Sequence, residues 1–118
     1  MRLFLMMLAT LLLVAVAAPP LMAQEAIPRC TIVEPMSGKV GTEIVVTGEN
    51  LDKNLVAKLY LTDGKNDIEL AILEQAATML KTKIPASAKV GERYRLMILT
   101  KGKEPKLIEQ PVRFEVEQ

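Results

Sequence analysis

Beyond residue 24, apolar positions recur at every second residue, in short runs bounded by Gly, Pro, Asn and Asp. Successive side chains of a strand point to opposite faces, so period two predicts strands with one buried face. Seven such runs can be read. Cys30 to Val33 opens the series. Glu43 to Thr47 turns Ile44 and Val46 inward, and Val56 to Thr62 sets Ala57, Leu59 and Leu61 on one face. Asn66 to Leu73 carries Ile68, Leu70 and Ile72. Thr78 to Ile84 sets Leu80, Thr82 and Ile84 against Lys81 and Lys83. Glu92 to Thr100 sets Tyr94, Leu96 and Ile98 against Arg93, Arg95 and Met97. Gln110 to Val116 closes with Val112, Phe114 and Val116 inward. Asp63-Gly64 is a hairpin signal, Lys101-Gly102-Lys103 is a second turn, and Glu74 to Ala77 has room for one helical turn.

A strand with one apolar face belongs to a sheet covered on one side only. Two such sheets facing each other bury both apolar faces. The pattern therefore predicts an all-β, immunoglobulin-like two-sheet sandwich of about seven strands.

The first residues follow a different rule. Met1-Arg2 is a positive start, Leu3 to Ala18 is apolar except for Thr10, and Pro19-Pro20 precedes Leu21-Met22-Ala23. Charge, apolar stretch, breaker and small residue, in that order, read as a secretory signal peptide over residues 1–23, cut after Ala23. The apolar run has 16 residues, short of the ~20 that a spanning helix needs, so cleavage is expected over a retained anchor. Ile27-Pro28-Arg29 before Cys30 lacks the leucine-led run of small residues expected ahead of a lipidated cysteine. Residues 24–28 read as a short linker and 29–118 as the domain. The expected location is the periplasm or the cell exterior, with no stable membrane span after cleavage.

Cleavage leaves 95 residues, enough for one small core without staples. Arg2 is the charged residue lost, so 14 basic residues face 14 acidic ones. That neutrality gives no electrostatic footprint for nucleic acid. A lone Cys30 cannot form an internal disulfide and is expected to be buried.

One ordered set is more specific than its members: Pro35, Gly38, Gly41-Thr42, Ile44, Val46, Gly48 and Asn50-Leu51. It resembles the IPT/TIG domain family, immunoglobulin-like modules named for plexins and transcription factors. The second half also fits, with Thr78, Leu80, Thr82, Ile84-Pro85, Gly91, Tyr94, Leu96 and Ile98. The resemblance runs from about Arg29 to Glu117. It implies an immunoglobulin-like fold and a role in binding or assembly, and it implies no catalytic residues. Bacterial members of the family are usually repeats or appendages of larger surface proteins or glycoside hydrolases.

Candidate chemistry is sparse. The chain has no histidine, which removes Ser-His and Cys-His pairs and imidazole metal sites. Ser37 and Ser87 stand among turn-forming residues, outside any nucleophile elbow. Asp63, Asp67 and Glu69 cluster near a turn, but Lys65 stands where a calcium loop needs an oxygen. Glu49, Asn50, Asp52 and Asn54 read as an Asx-stabilised loop. Gly38, Gly41 and Gly48 flank strands, with no helix behind them to take a phosphate, and are expected to serve turns. No enzymatic activity, cofactor or metal is expected.

What remains is a surface. If the third, sixth and last runs share a sheet, Lys58, Tyr60, Arg93, Arg95, Met97 and Arg113 are outward neighbours, with Glu115 beside them. Tyrosine and arginine are common interface anchors. The expectation is an exported, non-enzymatic binding or assembly module that engages a protein partner in the cell envelope through this face and its loops. Pairing at a sheet edge, as a structural accessory, is a second route. The alternative is a carbohydrate- or cell-wall-polymer-binding accessory, weakened by the lack of tryptophan and by Tyr60 and Tyr94 being the two tyrosines. Lys101, Lys103 and Lys106 are expected to add positive charge nearby.

Overall fold

The computed structural model describes residues 26–118. The expected signal segment, and the first two residues of the linker, lie outside them. Nine strands form among the described residues: β1 (Arg29–Glu34), β2 (Ser37–Gly38), β3 (Glu43–Glu49), β4 (Val56–Thr62), β5 (Asp67–Leu70), β6 (Ile72–Ala76), β7 (Met79–Lys83), β8 (Arg93–Thr100) and β9 (Leu107–Val116). They build two sheets, β1-β3-β7-β6 and β2-β9-β8-β4-β5. All neighbours are antiparallel except β2 and β9. This is the immunoglobulin-like sandwich.

Period two places the core. Ile44, Val46, Leu80 and Val33 from one sheet meet Leu59, Leu61, Leu96, Ile98 and Phe114 from the other, all buried. Full burial of each such side chain contributes about 1.5–3 kcal/mol. Tyr94 also points inward, and its hydroxyl accepts a hydrogen bond from the Lys89 backbone N–H at 3.0 Å. This is the tyrosine corner common at the start of the sixth strand of immunoglobulin-like domains.

Two expectations fail between residues 66 and 77. Asn66 to Leu73 is not one strand: β5 pairs with β4, and β6 pairs with β7 in the opposite sheet. The chain changes sheets at Ala71, whose carbonyl accepts a hydrogen bond from the buried Thr82 hydroxyl at 2.6 Å. Ile68, Leu70 and Ile72 all still face the core, so the apolar spacing runs unbroken through the crossing. Glu74 to Ala77 makes no helical turn. Its first three residues belong to β6, which is recruited into a ladder by β7.

The opening segment also changes sheets. β1 pairs with β3, the chain passes a cis Glu34-Pro35 peptide, and β2 then runs parallel to β9. Gly48 lies inside β3 rather than at a turn, correcting its expected role. A Cβ there would overlap the Arg29 carbonyl, so glycine is what lets β1 approach. Gly41, by contrast, has φ +93° and does serve a turn.

Candidate functional site

Runs three, six and seven do share a sheet. β4, β8 and β9 are consecutive neighbours, so the predicted outward residues lie on one face. Cross-strand register arranges them in rows. Glu69, Tyr60, Met97 and Glu109 form one row, and Asp67, Thr62, Arg95 and Arg113 form the next. Arg93 stands opposite Glu115 beyond them. Lys58 sits toward the other end, 3.6 Å from Glu69.

The six residues are not equivalent. Arg93 and Arg113 are exposed, and Arg95 and Tyr60 are half-buried. Met97 is 6% exposed, which corrects its expected place as an outward contact. It belongs to a strand flanked on both sides, and Tyr60 and Glu109 stand beside it in register. Lys58 is engaged with Glu69. The Lys101, Lys103 and Lys106 loop follows the far end of β8 from Arg93, about 23 Å along the strand at ~3.3 Å per residue. Those lysines do not extend the arginine patch.

The three arginines converge on a cavity of about 230 Å³, lined also by Thr62, Asp63, Gly64 and Glu109. Arg95 pairs with Glu109 at 2.8 Å. Among the described residues, Arg93 and Arg113 enter no ion pair. Arg95 and Arg113 stand directly opposite each other, a like-charge pairing that costs stability. Asp63 lines the same cavity. Its Oδ1 accepts the backbone N–H groups of Lys65 and Asn66 at 2.8 and 2.7 Å, and these bonds hold its carboxyl below the ordinary 3.8.

Arg93 and Arg113 also border a second cavity. A groove of about 650 Å³ lies between β1 and β9, lined by Thr31, Ile32, Val33, Met36, Ser37, Pro111 and Val112, with Arg93, Arg113 and one carboxylate, Glu115. Sequence reasoning missed this groove, because it depends on the sheet change between β1 and β2. Gln110 closes one end: its buried Oε1 accepts the Cys30 backbone N–H at 2.7 Å. β2 closes the other.

Of the acidic residues near the Asp63 turn, Asp67 and Glu69 are engaged by Thr62 and Lys58. Asp67 accepts the Thr62 hydroxyl at 2.6 Å. No group of three or more metal-ligating side chains occurs among the described residues. Asn50 adopts φ +57° and donates to the distant Ile27 carbonyl at 3.1 Å, rather than to the backbone of its own loop. Cys30 is fully buried, and desolvation pushes its thiol up to about 12. No helix among the described residues is long and apolar enough to cross a membrane.

No family model and no curated protein matches the chain. Solved structures do. A Bacteroides thetaiotaomicron protein of unknown function aligns with a TM-score of 0.63 and 19% identity, covering 85% of this chain and 24% of its own. A candidate phosphatase from the same organism aligns at 0.53 and 16%, covering 77% and 18%. An auxiliary nutrient binding protein, also from that organism, aligns at 0.54 and 25%, covering 78% and 21%. The chain thus spans a quarter or less of the length of these larger proteins, and what it shares with them is the sandwich.

Proposed function

We propose that the chain is an exported, non-enzymatic binding or assembly module of the IPT/TIG type, working in the periplasm or outside the cell. It engages a protein partner in the envelope through the outer face of the five-stranded sheet. The observation that carries this reading is the cluster of Arg93, Arg95 and Arg113 around one open cavity, with two of the three left without an ion pair. A fold gains nothing from facing two arginines across a ladder. A partner that supplies the missing carboxylates does. The likeness to an auxiliary nutrient binding protein supports a binding role. The lack of histidine argues against acid–base or nucleophilic chemistry of the common kinds.

That same likeness to a nutrient binding protein leaves a second reading, a carbohydrate- or cell-wall-polymer-binding accessory. Sugar rings stack on exposed aromatic faces. Here Tyr94 is buried and Tyr60 is half-buried, so the protein partner is preferred. Crosslinked capture from the native envelope, read by mass spectrometry, tests the proposal. A reproducible stoichiometric protein partner supports it, and no protein partner turns the assignment to a glycan.

A further inference from the structure

The cavity and the groove meet at Arg93 and Arg113, which line both. Resting on the binding-module reading, we infer that the partner arrives as an extended acidic segment. Its carboxylates meet Arg93, Arg95 and Arg113, and its backbone lies in the groove between β1 and β9.

Three observations carry this. First, the charge is specific in kind. Guanidinium forks take carboxylates in bidentate pairs. Arg93 and Arg113 line the groove itself, and Arg95 joins them in the adjoining cavity. Second, the groove is flanked by strand edges. β1 pairs with β3 alone, and the outer edge of β9 pairs with β2 only at Glu115 and Val116. From Gln110 to Arg113 that edge carries no strand, and an extended chain is what pairs with such an edge. Third, the groove has defined ends. The Cys30–Gln110 hydrogen bond and β2 enclose about 17 Å of β9, which is roughly five extended residues. Pro111 lacks an N–H and removes one donor from the edge. Backbone pairing is therefore partial, and charge carries much of the recognition. A glycan would use the arginines but has no strand to lay along the edge.

The test is an NMR titration of the processed protein, isolated from its host, with an acetylated hexaglutamate peptide. The expected result is saturable binding that perturbs Arg93, Arg113 and the Thr31–Val33 amides. R93E/R113E should weaken it at least tenfold while keeping native amide dispersion. K101E/K103E, at the far end of the strand, should leave it unchanged. R113Q provides a milder variant and should weaken binding in the same direction. The inference is overturned if hexaglutamate does not bind, if it binds R93E/R113E equally, or if K101E/K103E weakens it as much. It is also overturned if polygalacturonate, a carboxylate polymer with no peptide backbone, binds as tightly. Envelope capture with the same variant separates the two levels of the argument. Capture of the native partner by R93E/R113E at the wild-type level ends the acidic-segment inference and leaves a binding module. Capture of nothing by either protein ends the acidic-segment inference and the protein-partner reading together, and turns the assignment to a glycan.

Discussion

The side-chain carbonyl of Gln110 accepts the backbone N–H of Cys30 at 2.7 Å, joining a strand of one sheet to a strand of the other. Both residues are buried. The bond satisfies a donor that β3 does not reach, and it closes one end of the groove beside β9. Gln110→Leu removes the acceptor and leaves a buried N–H unpaired. The expected cost is about 1–3 kcal/mol, read as a lower urea midpoint with an unchanged slope. An unchanged midpoint would mean that the sheets are held together elsewhere.

Gly48 faces β1 at a distance that admits no side chain. Gly48→Ala must push β1 away from β3 and should cost about 1–3 kcal/mol. For a domain of this size, each kcal/mol lowers Tm by roughly 4–8 °C. Thermal unfolding of the variant checks this. A Tm within a degree of wild type would show that β1 moves freely.

Cys30 gives a pH prediction. Burial pushes its thiol from 9.0 up to about 12. Above pH 9 the unfolded chain gains thiolate that the folded chain cannot, so the unfolded state binds fewer protons and stability falls. The contribution is complete below pH 9 and is lost as pH rises toward 12. The stability advantage of wild type over Cys30→Ala should therefore narrow across that window in paired denaturation curves. At pH 8 the native thiol should resist alkylation, and unfolding should expose it. Rapid native labelling would contradict its burial.

Glu109 competes with the proposed partner for Arg95. The ion pair is half-exposed, so Glu109→Gln should change stability by less than about 1 kcal/mol. By freeing a third guanidinium, it should tighten binding of an acidic peptide a few-fold in the same NMR titration. Weaker binding would show that Glu109 positions Arg95 rather than neutralising it.

How much of this was legible depends on which residues are asked. Alternation placed Ile44, Val46, Leu59, Leu61, Leu96, Ile98 and Phe114 in the core, because period two follows directly from the pleat. It could not reveal the sheet change at Ala71: Ile68, Leu70 and Ile72 keep their spacing whichever sheet they line. Gly48 read as a turn residue because a close backbone approach leaves no local signature. Met97 read as outward because parity gives the face, whereas burial on that face depends on cross-strand neighbours. The arginine face was legible once β4, β8 and β9 were taken as neighbours. The groove beside it was not, because it is made by two strands about 80 residues apart in sequence.

The most direct test of a partner-binding arginine face is crosslinked capture from the native envelope, run in parallel with wild type and R93E/R95E. Both residues stand on the outer face, so the variant is expected to keep its fold by circular dichroism. The account predicts a stoichiometric protein partner with wild type and its loss with the variant. Equal capture by both proteins would contradict it, and would move the site away from the face where Arg93, Arg95 and Arg113 converge.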